Sequence, residues 1–208
     1  MKEQKQDYFD FESCDIFKGY PPQRIQQPDN MEDYEKIKIA GFGHIKHMIK
    51  TNNTDEISYS YFRLGTKHKK NYCYVKQNDI ILPVLAATNN LSMLYVENEP
   101  DEKILYNATV LVIRTEDSLI SKYLYIMLNS DIIQQSISKL AYREKAAISY
   151  RMSIDIIKSI KIPMMNKDKM KKIVNDYDKL QRQKVEIQEK EKQFWQNIDT
   201  LEEIENLI

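Results

Sequence analysis

The chain has 208 residues, 42% of them hydrophobic, with 31 basic and 31 acidic side chains and a formal net charge of zero. This length accommodates one ordinary domain and an appendage, and the apolar fraction is sufficient for a packed core. Cys14 and Cys73 form neither a CxxC pair nor a disulfide framework, no apolar run approaches the roughly 18–20 residues that span a bilayer, and no secretion signal opens the chain. We therefore expect a cytoplasmic protein without membrane association.

The charges are unevenly distributed along the chain. Residues 36–80 carry nine basic and three acidic side chains, and residues 121–165 carry seven and three. Residues 81–120, which lie between them, carry two and six. Folding could bring the two basic blocks onto one positive face, which is typical of nucleic-acid binding, although ordinary surface variation is about as good an explanation of this pattern alone.

The first half of the chain is predicted to be rich in short strands. After a turn-rich start with a short strand or turn near Asp15–Phe17, KIKIA predicts a half-buried strand, GFGHI a bend, and SYSYF at 58–62 a second strand. YCYV, the apolar run Ile80–Leu85 after a turn at Asn78–Asp79, LSMLYV and ATVLVI predict further strands. Such closely spaced strands indicate a compact, curved, mixed sheet.

The period of the apolar residues changes at residue 118. Residues 118–138 have apolar side chains at three- and four-residue steps, which predicts an amphipathic helix with a break near Asn129–Ser130. A basic loop is expected at 141–151, followed by a strand with Ile156, Ile160 and Ile162 on one face.

The last part of the chain is predicted to be one long helix. Between Met170 and Ile208, nine of twelve positions at alternating three- and four-residue steps are apolar. A stripe of this length usually faces another helix, because one compact domain cannot cover it, although a helix docked on its own domain is the alternative. We therefore predict a domain at 1–163 and a dimerisation or spacer helix at 164–208. Its partner-facing residues are predicted to be Met170, Ile173, Tyr177, Leu180, Ile187, Phe194, Ile198 and Leu201.

No catalytic centre is predicted. Neither GxxxxGK[ST], GxGxxG nor GxSxG occurs. His44, His47, His68 and Cys73 have tolerable spacings for zinc, but two of these histidines lie among lysines, so we predict no metal site. Asp29, Asp33 and Glu35 near Lys36 and Lys38 miss the spacing of a metal-dependent nuclease by one residue, which favours an acidic surface loop.

Two segments combine cations, tyrosines and amides in the manner of nucleic-acid contacts. Lysine neutralises phosphates, arginine bonds to guanine, asparagine reads adenine, and a solvated surface charge is the simpler explanation of any one lysine. The predicted DNA-binding residues are Lys46, His47, Lys50, Tyr61, Arg63, Lys67, His68, Lys69, Lys70, Asn89, Asn90, Tyr142, Arg143, Lys145, Tyr150 and Arg151.

The order of these segments resembles the specificity subunit of type I restriction–modification systems. The resemblance covers roughly residues 12–205 and is carried by SCDIFKGYPP with YEKIKIAGFGHI, by VKQNDIILPV, and by NATVLVIRTEDSLISKYLYIMLNSDIIQQSISK with IKSIKIPMMNKDKMKKIV. Asn78 stands where the family usually has glycine, and Met165 where it usually has a second proline.

The resemblance implies an α+β fold, in which a mixed, curved-sheet target-recognition domain precedes one long coiled-coil helix. It also implies a non-catalytic, half-length subunit, because full-length members contain this unit twice. The implied partners are double-stranded DNA, modification (methyltransferase) subunits and a restriction/translocase subunit, with S-adenosylmethionine, ATP and Mg bound by those partners. An identical copy or another half-subunit would pair through the helix, so that the complex reads a two-part DNA site. A decoy in the specificity-subunit position, or a recognition domain of a larger methyltransferase–nuclease, remains an alternative.

Overall fold

The structure is a computed structural model that describes residues 7–20, 32, 34–63, 73–87, 91–141 and 149–199. The chain divides into two compact units, Met1–Met165 and Asn166–Ile208. The first unit contains all of the described strands, and the described part of the second unit contains one long helix.

Nine short strands lie in the described part of the first unit, and a 3-10 turn at Phe11–Ser13 precedes them. Their bounds are β1 Asp15–Lys18, β2 Tyr34–Ala40, β3 Tyr59–Arg63, β4 Ile80–Pro83, β5 Leu85–Ala87, β6 Leu94–Tyr95, β7 Ile104–Tyr106, β8 Val110–Arg114 and β9 Ser149–Arg151.

Five helices are described. Their bounds are α1 Phe42–Thr51, α2 Ser118–Leu128, α3 Asp131–Ala141, α4 Ile154–Ser159 and α5 Lys167–Asp199. Side-chain caps begin three of them. Asp117 accepts from the backbone N–H groups of Leu119 and Ile120 at the start of α2, Ser153 caps α4, and Asn166 accepts from Lys169 N at 2.9 Å at the start of α5.

The described strands form three sheets. The first is antiparallel in the order β1-β8-β4-β6, with Ile16 and Ile80 both paired to Ile113. The second has the order β3-β2-β7, in which β2 is antiparallel to β3 and parallel to β7. The third is the two-stranded β5–β9 ribbon, in which Leu85 pairs with Arg151 and Ala87 with Ser149.

The core of the first unit fills the space that the first two sheets and α1 enclose. Ile81, Val110 and Val112 of the antiparallel sheet pack in one cluster with Ile45 and Met48 of α1. On the second sheet, a smaller cluster contains Ile37, Phe62, Cys73 and Leu105. Ala40 of β2 belongs to the first cluster and Ile37 to the second, so both faces of this strand meet buried side chains.

A buried carboxylate joins the two larger sheets. The Arg114 guanidinium of β8 donates to both Asp79 oxygens at 2.7 Å, and the Tyr106 hydroxyl of β7 donates to Oδ2 at 2.8 Å. The backbone N–H of Lys76 donates to the same oxygen at 2.9 Å. Both oxygens of the fully buried Asp79 carboxylate therefore accept hydrogen bonds. Arg114 is held in place by a further bond, which it donates to the Tyr74 carbonyl at 2.7 Å.

The turn that presents Asp79 depends on a left-handed residue. Asn78 has φ 68°, a backbone conformation that favours glycine and that asparagine tolerates better than other residues. This explains how Asn78 replaces the glycine usual in the resembling family. Its N–H donates to the Val96 carbonyl at 2.8 Å, its side chain accepts from the Tyr95 hydroxyl at 2.8 Å, and its carbonyl accepts from the Ser121 hydroxyl.

Two glycines allow the turn between β7 and β8 to lie directly against neighbouring backbone. A Cβ on Gly19 would lie 2.0 Å from the Asn107 carbonyl oxygen, and one on Gly41 would lie 2.8 Å from Asn107 Nδ2. Asn107 N donates to the Ala40 carbonyl at 2.8 Å. A side chain at either glycine would push this turn away from β2 and α1.

The α+β class and the long C-terminal helix are confirmed, as are the strands in KIKIA, SYSYF, LSMLYV and ATVLVI and the helix break after Leu128. Three of the predicted secondary-structure assignments were wrong. GFGHI begins α1 rather than a bend, with Gly41 as its N-cap. The predicted isoleucine strand is helix α4 over Ile154–Ser159, and only Ile160–Pro163 beyond it is extended.

The third error concerns 141–151, which was predicted to be a loop. Ala141 ends α3, and Ser149–Arg151 is a strand paired with β5. In addition, the apolar run at 80–85 divides at Val84 into β4 and β5, residues 104–106 form a strand that the sequence did not predict, and of YCYV only Tyr74 forms a bridge among the described residues.

We expect Asp79→Asn to destabilise the first unit strongly. The substitution removes the negative charge that compensates the partly buried Arg114, and breaking one partner of a buried ion pair costs about 3–5 kcal/mol. Urea unfolding should show this loss, whereas Tyr106→Phe should cost only about 1 kcal/mol because it removes one hydrogen bond. Asp101→Asn, at an exposed turn, is the control. A loss below about 1 kcal/mol for Asp79→Asn would contradict the assigned role.

Candidate nucleic-acid interface

Helix α1 presents a basic face opposite its core face. Ile45 and Met48 are buried, whereas Lys46 and Lys50 are exposed and His47 is half-exposed. Positions 43, 46, 47 and 50 follow three- and four-residue steps, so they lie on one side of the helix. Gly43 has no atom within 4 Å of the Cβ position, which leaves the backbone at the start of this face open.

The basic face has one acidic neighbour. His47 Nε2 lies 3.8 Å from Glu56 Oε2, a distance at which a protonated imidazole forms a weak ion pair. For Lys46 and Lys50, no ion pair with an acid occurs within the described part of the chain. Three of the predicted DNA-binding residues therefore share one surface, with two cations available to phosphates.

The segment after α1 is held by a buried lysine. Lys38 is 6% exposed, and its ammonium donates to Glu102 Oε1 at 2.5 Å and to Thr54 Oγ1 at 3.0 Å. The Thr54 hydroxyl donates to the same carboxylate oxygen. The hydrogen bond with Lys38, followed by that with Thr54, lowers the pKa of Glu102, and the hydrogen bond to Glu102 raises the pKa of Lys38. Lys38 is therefore a structural cation.

One face of the β2–β3 pair, opposite Ile37 and Phe62, combines tyrosines with cations; we call it the tyrosine face. The register pairs Lys36 with Tyr61 and Lys38 with Tyr59, so these side chains lie on the face opposite Ile37 and Phe62. Lys36 Nζ lies 4.2 Å from the Tyr59 ring centroid, a cation–π contact. Of this face, only Tyr61 was predicted to bind DNA. Lys36 and Tyr59 were missed, although pairing the alternations of KIKIA and SYSYF would have placed all of these side chains together.

The first basic segment of the sequence is divided by the fold. Arg63, described by its backbone alone, pairs with Tyr34, four residues along β2 from Lys38 and about 13 Å away at 3.3 Å per residue. Helix α1 follows Ala40, at the other end of the same strand. Arg63 and the basic face of α1 are therefore attached to opposite ends of the β2–β3 pair.

The β5–β9 ribbon brings two of the predicted segments to one place in the fold. Ala87 pairs with Ser149, so the chain leaves β5 and enters β9 at the same end of the ribbon. Tyr150, whose backbone alone is described, and the exposed Arg151 lie in β9 itself. The other predicted contact residues lie outside the described residues, namely Lys67, His68, Lys69, Lys70, Asn89, Asn90, Tyr142, Arg143 and Lys145.

The second unit exposes three of the seven described residues of the predicted apolar stripe. Leu180 is 61% exposed, Ile187 65% and Phe194 56%, whereas Met170 is buried and Ile173, Tyr177 and Ile198 are half-buried. Trp195, which the heptad pattern missed, contacts Phe194 edge-to-face at 5.3 Å between ring centroids. Leu201 lies outside the described residues.

Neither a metal site nor a membrane span occurs among the described residues. They contain no group of three or more His, Cys, Asp and Glu side chains placed to hold a metal ion; His44 Nδ1 instead accepts from Gly41 N at 3.4 Å and Cys73 is buried. In this same part of the chain, no helix combines the length and the apolar character needed to cross a bilayer.

Comparison with solved structures identifies the fold. A chain from a structure of "the type I R-M system" that concerns complex assembly and conformational transition matches with a TM-score of 0.56 and 12% identity, over 96% of this chain and 44% of the other. The HsdS subunit from Thermoanaerobacter tengcongensis matches with a TM-score of 0.51 and 15% identity, over 88% and 39%. The type I restriction–modification S subunit from M. genitalium has a TM-score of 0.48 and 15% identity, over 88% and 41%.

The fold of this chain is therefore that of type I restriction–modification S subunits, as the resemblance predicted. The chain spans about two fifths of the length of these structures. No protein-family model matches the chain, and no curated protein matches it in sequence.

We expect Glu102→Gln to lower stability in a pH-dependent manner. Because the folded state lowers the pKa of Glu102, the folded chain binds fewer protons than the unfolded chain as the pH falls toward that pKa. Its stabilising contribution is therefore fully present above the ordinary glutamate pKa of about 4.3 and is lost below it. Urea unfolding should show a deficit of about 1 kcal/mol for the variant at pH 7 and a smaller deficit at pH 4. Exposed Glu99→Gln is the control, and a deficit independent of pH would contradict the pairing.

Proposed function

We propose that this chain provides the non-catalytic DNA-specificity function of a type I restriction–modification complex. The observation that carries the proposal is the likeness in fold to an HsdS subunit and to a chain of a type I restriction–modification system, over 88–96% of this chain. Double-stranded DNA is its ligand, and modification subunits and a restriction/translocase subunit are its partners. S-adenosylmethionine, ATP and Mg belong to those partners in this proposal.

The basic face of α1 supports DNA binding. Lys46 and Lys50 project from a helix whose other side packs in the core, so the cations are held by a rigid scaffold while their ammonium groups stay hydrated. Cations in this arrangement suit the phosphate backbone, which provides most of the non-specific affinity for DNA. We assign base reading to the two predicted DNA-binding segments that follow β5 and precede β9 in the sequence, by analogy with loops carried by a sheet.

The exposed stripe of α5 supports pairing through the helix. Three apolar side chains at seven-residue intervals, Leu180, Ile187 and Phe194, are each more than half exposed. Burying such a side chain against a partner helix contributes about 1.5–3 kcal/mol. Pairing with a second copy in the antiparallel sense would give a two-fold object, and its DNA site would be palindromic with an unread gap.

We expect Lys46→Ala with Lys50→Ala to weaken the binding of a random-sequence duplex. Each lost phosphate contact should reduce the slope of log K against log salt by about 0.9, so the double variant should lose about 1.8. Fluorescence anisotropy between about 50 and 200 mM salt measures both the affinity and the slope. Lys103→Ala with Lys161→Ala, two exposed lysines outside α1, is the matched control. An unchanged slope in the α1 variant would exclude this face from the DNA.

We expect Leu180→Asp with Ile187→Asp to abolish self-association or docking through α5. Both side chains are exposed, so the folding of the single chain should be preserved while a charge enters the seam. Analytical ultracentrifugation, alone and with modification subunits, gives the mass. Gln181→Asp with Gln188→Asp places the same charges about 100° away around the helix and should leave the mass unchanged. A wild-type chain that is monomeric and yet assembles with modification subunits would refute the pairing.

A further inference from the structure

A cavity of about 530 Å³ lies at one end of the antiparallel sheet, beside the ribbon. The last residues of β1 and β4, the first residue of α1, the β7–β8 turn and the first pair of the ribbon enclose it. Its volume lies within the range of about 300–1,000 Å³ typical of small-ligand sites. The lining residues are Lys18, Phe42, Pro83, Val84, Leu85, Ala108, Thr109 and Arg151.

The walls of the cavity are fixed by backbone hydrogen bonds. Val84 N donates to the Thr109 carbonyl at 2.8 Å, and Met152 N donates to the Val84 carbonyl at 2.8 Å, which ties the ribbon to the β7–β8 turn. Thr109 N donates to Asn107 Oδ1 at 2.9 Å within that turn. These bonds hold the walls in place, so binding would not have to order them.

The chemistry of the lining is apolar with two cations. Phe42, Pro83, Val84 and Leu85 provide aliphatic and aromatic surface, and Leu85 is 68% exposed although it is a large apolar side chain. Lys18 and Arg151 are exposed. None of the described lining residues is acidic, and neither cation forms an ion pair within the described part of the chain. A complementary ligand has a compact, flat, apolar body and a negative charge.

We propose that this cavity binds one nucleotide of the DNA that has left the base stack. The Phe42 ring and Leu85 would contact the base, and Lys18 and Arg151 would contact the adjoining phosphates. This inference rests on the proposed DNA-binding function.

The position of the ribbon argues for DNA as the source of the nucleotide. Leu85 and Arg151 form the first pair of the ribbon, and Ala87 with Ser149, after which the two predicted DNA segments are attached, is two residues away. At about 3.3 Å per residue this separation is about 7 Å, the length of about two base-pair steps. A duplex held at that end would therefore lie within reach of the cavity.

The test compares a fully paired duplex with the same duplex carrying one unpaired thymidine. An unpaired nucleotide has already lost most of its stacking and pairing energy, so it should enter the cavity at lower cost and bind at least about fivefold more tightly, the lower end of one base–aromatic contact. Leu85→Glu should abolish this preference without affecting the fold, since its side chain is exposed. Ile132→Glu, at a side chain that is 79% exposed on α3, is the matched control and should retain the preference.

Two further variants separate folding from binding. Lys18→Gln with Arg151→Gln should reduce the preference for the unpaired duplex, and Phe42→Ala should do so if the variant remains folded by circular dichroism. Equal wild-type affinity for the two duplexes, or a preference that survives in Leu85→Glu, would overturn the inference while the paired duplex still binds. Failure to bind either duplex would instead refute the proposed function. If Leu85→Glu disrupted assembly with modification subunits and left DNA binding unchanged, the cavity would be a protein-docking site and the inference would be wrong.

Discussion

One buried ion pair joins the parts of the first unit. Asp79 compensates Arg114 of β8, accepts from Tyr106 of β7, and is presented by a turn whose other bonds reach Tyr95 and Ser121 of α2. An unpaired carboxylate at this depth would be several kcal/mol unfavourable, whereas here every oxygen is hydrogen-bonded. Tyr106 is itself fully buried. Its burial, and to a smaller extent the neighbouring charge of Asp79, raises the pKa of the Tyr106 phenol well above its usual range, so the phenol remains a donor at physiological pH.

A rigid join between the sheets explains why the candidate interface has its geometry. Helix α1 is packed against both larger sheets through Ile45 and Met48, and the ribbon is bonded through Val84 to the β7–β8 turn. That turn fits only because Gly19 and Gly41 have no side chains. The basic face of α1, the tyrosine face of β2–β3 and the ribbon are thus fixed on one scaffold, which limits the entropy lost when a ligand orders them.

The period of the apolar residues predicted most of the helices and strands. Where that prediction was wrong, in the isoleucine segment, a helix-capping residue was the signal that distinguished a helix from a strand. The alternation in KIKIA and the long α5 stripe are strong signals, because each repeats over several residues with one period. Ile154, Ile157 and Ile160 also satisfy a helical step, so the isoleucine segment was ambiguous, and Ser153 with Asp155 in the first turn was the signal for a helix start. The cavity was not predictable, since its lining comes from five separate stretches that only the strand register brings together.

Helix α5 can be stabilised in two ways, by charge pairs within the helix and by burial of its apolar side chains against a partner helix. Asp168 and Lys172, Asp178 and Arg182, and Glu186 and Lys190 have the acid-before-base spacing of four residues, and each such pair contributes about 0.2–0.5 kcal/mol. Together they supply on the order of 1 kcal/mol, enough to favour the helix locally. Burying Leu180, Ile187 and Phe194 against a second helix would contribute several times as much, at about 1.5–3 kcal/mol for each side chain. Pairing would therefore stabilise the helix more than its own charge pairs do. Under the proposed function, the separation between two recognition domains is then set by assembly, along a helix of about 50 Å that matches about 15 base pairs of B-DNA.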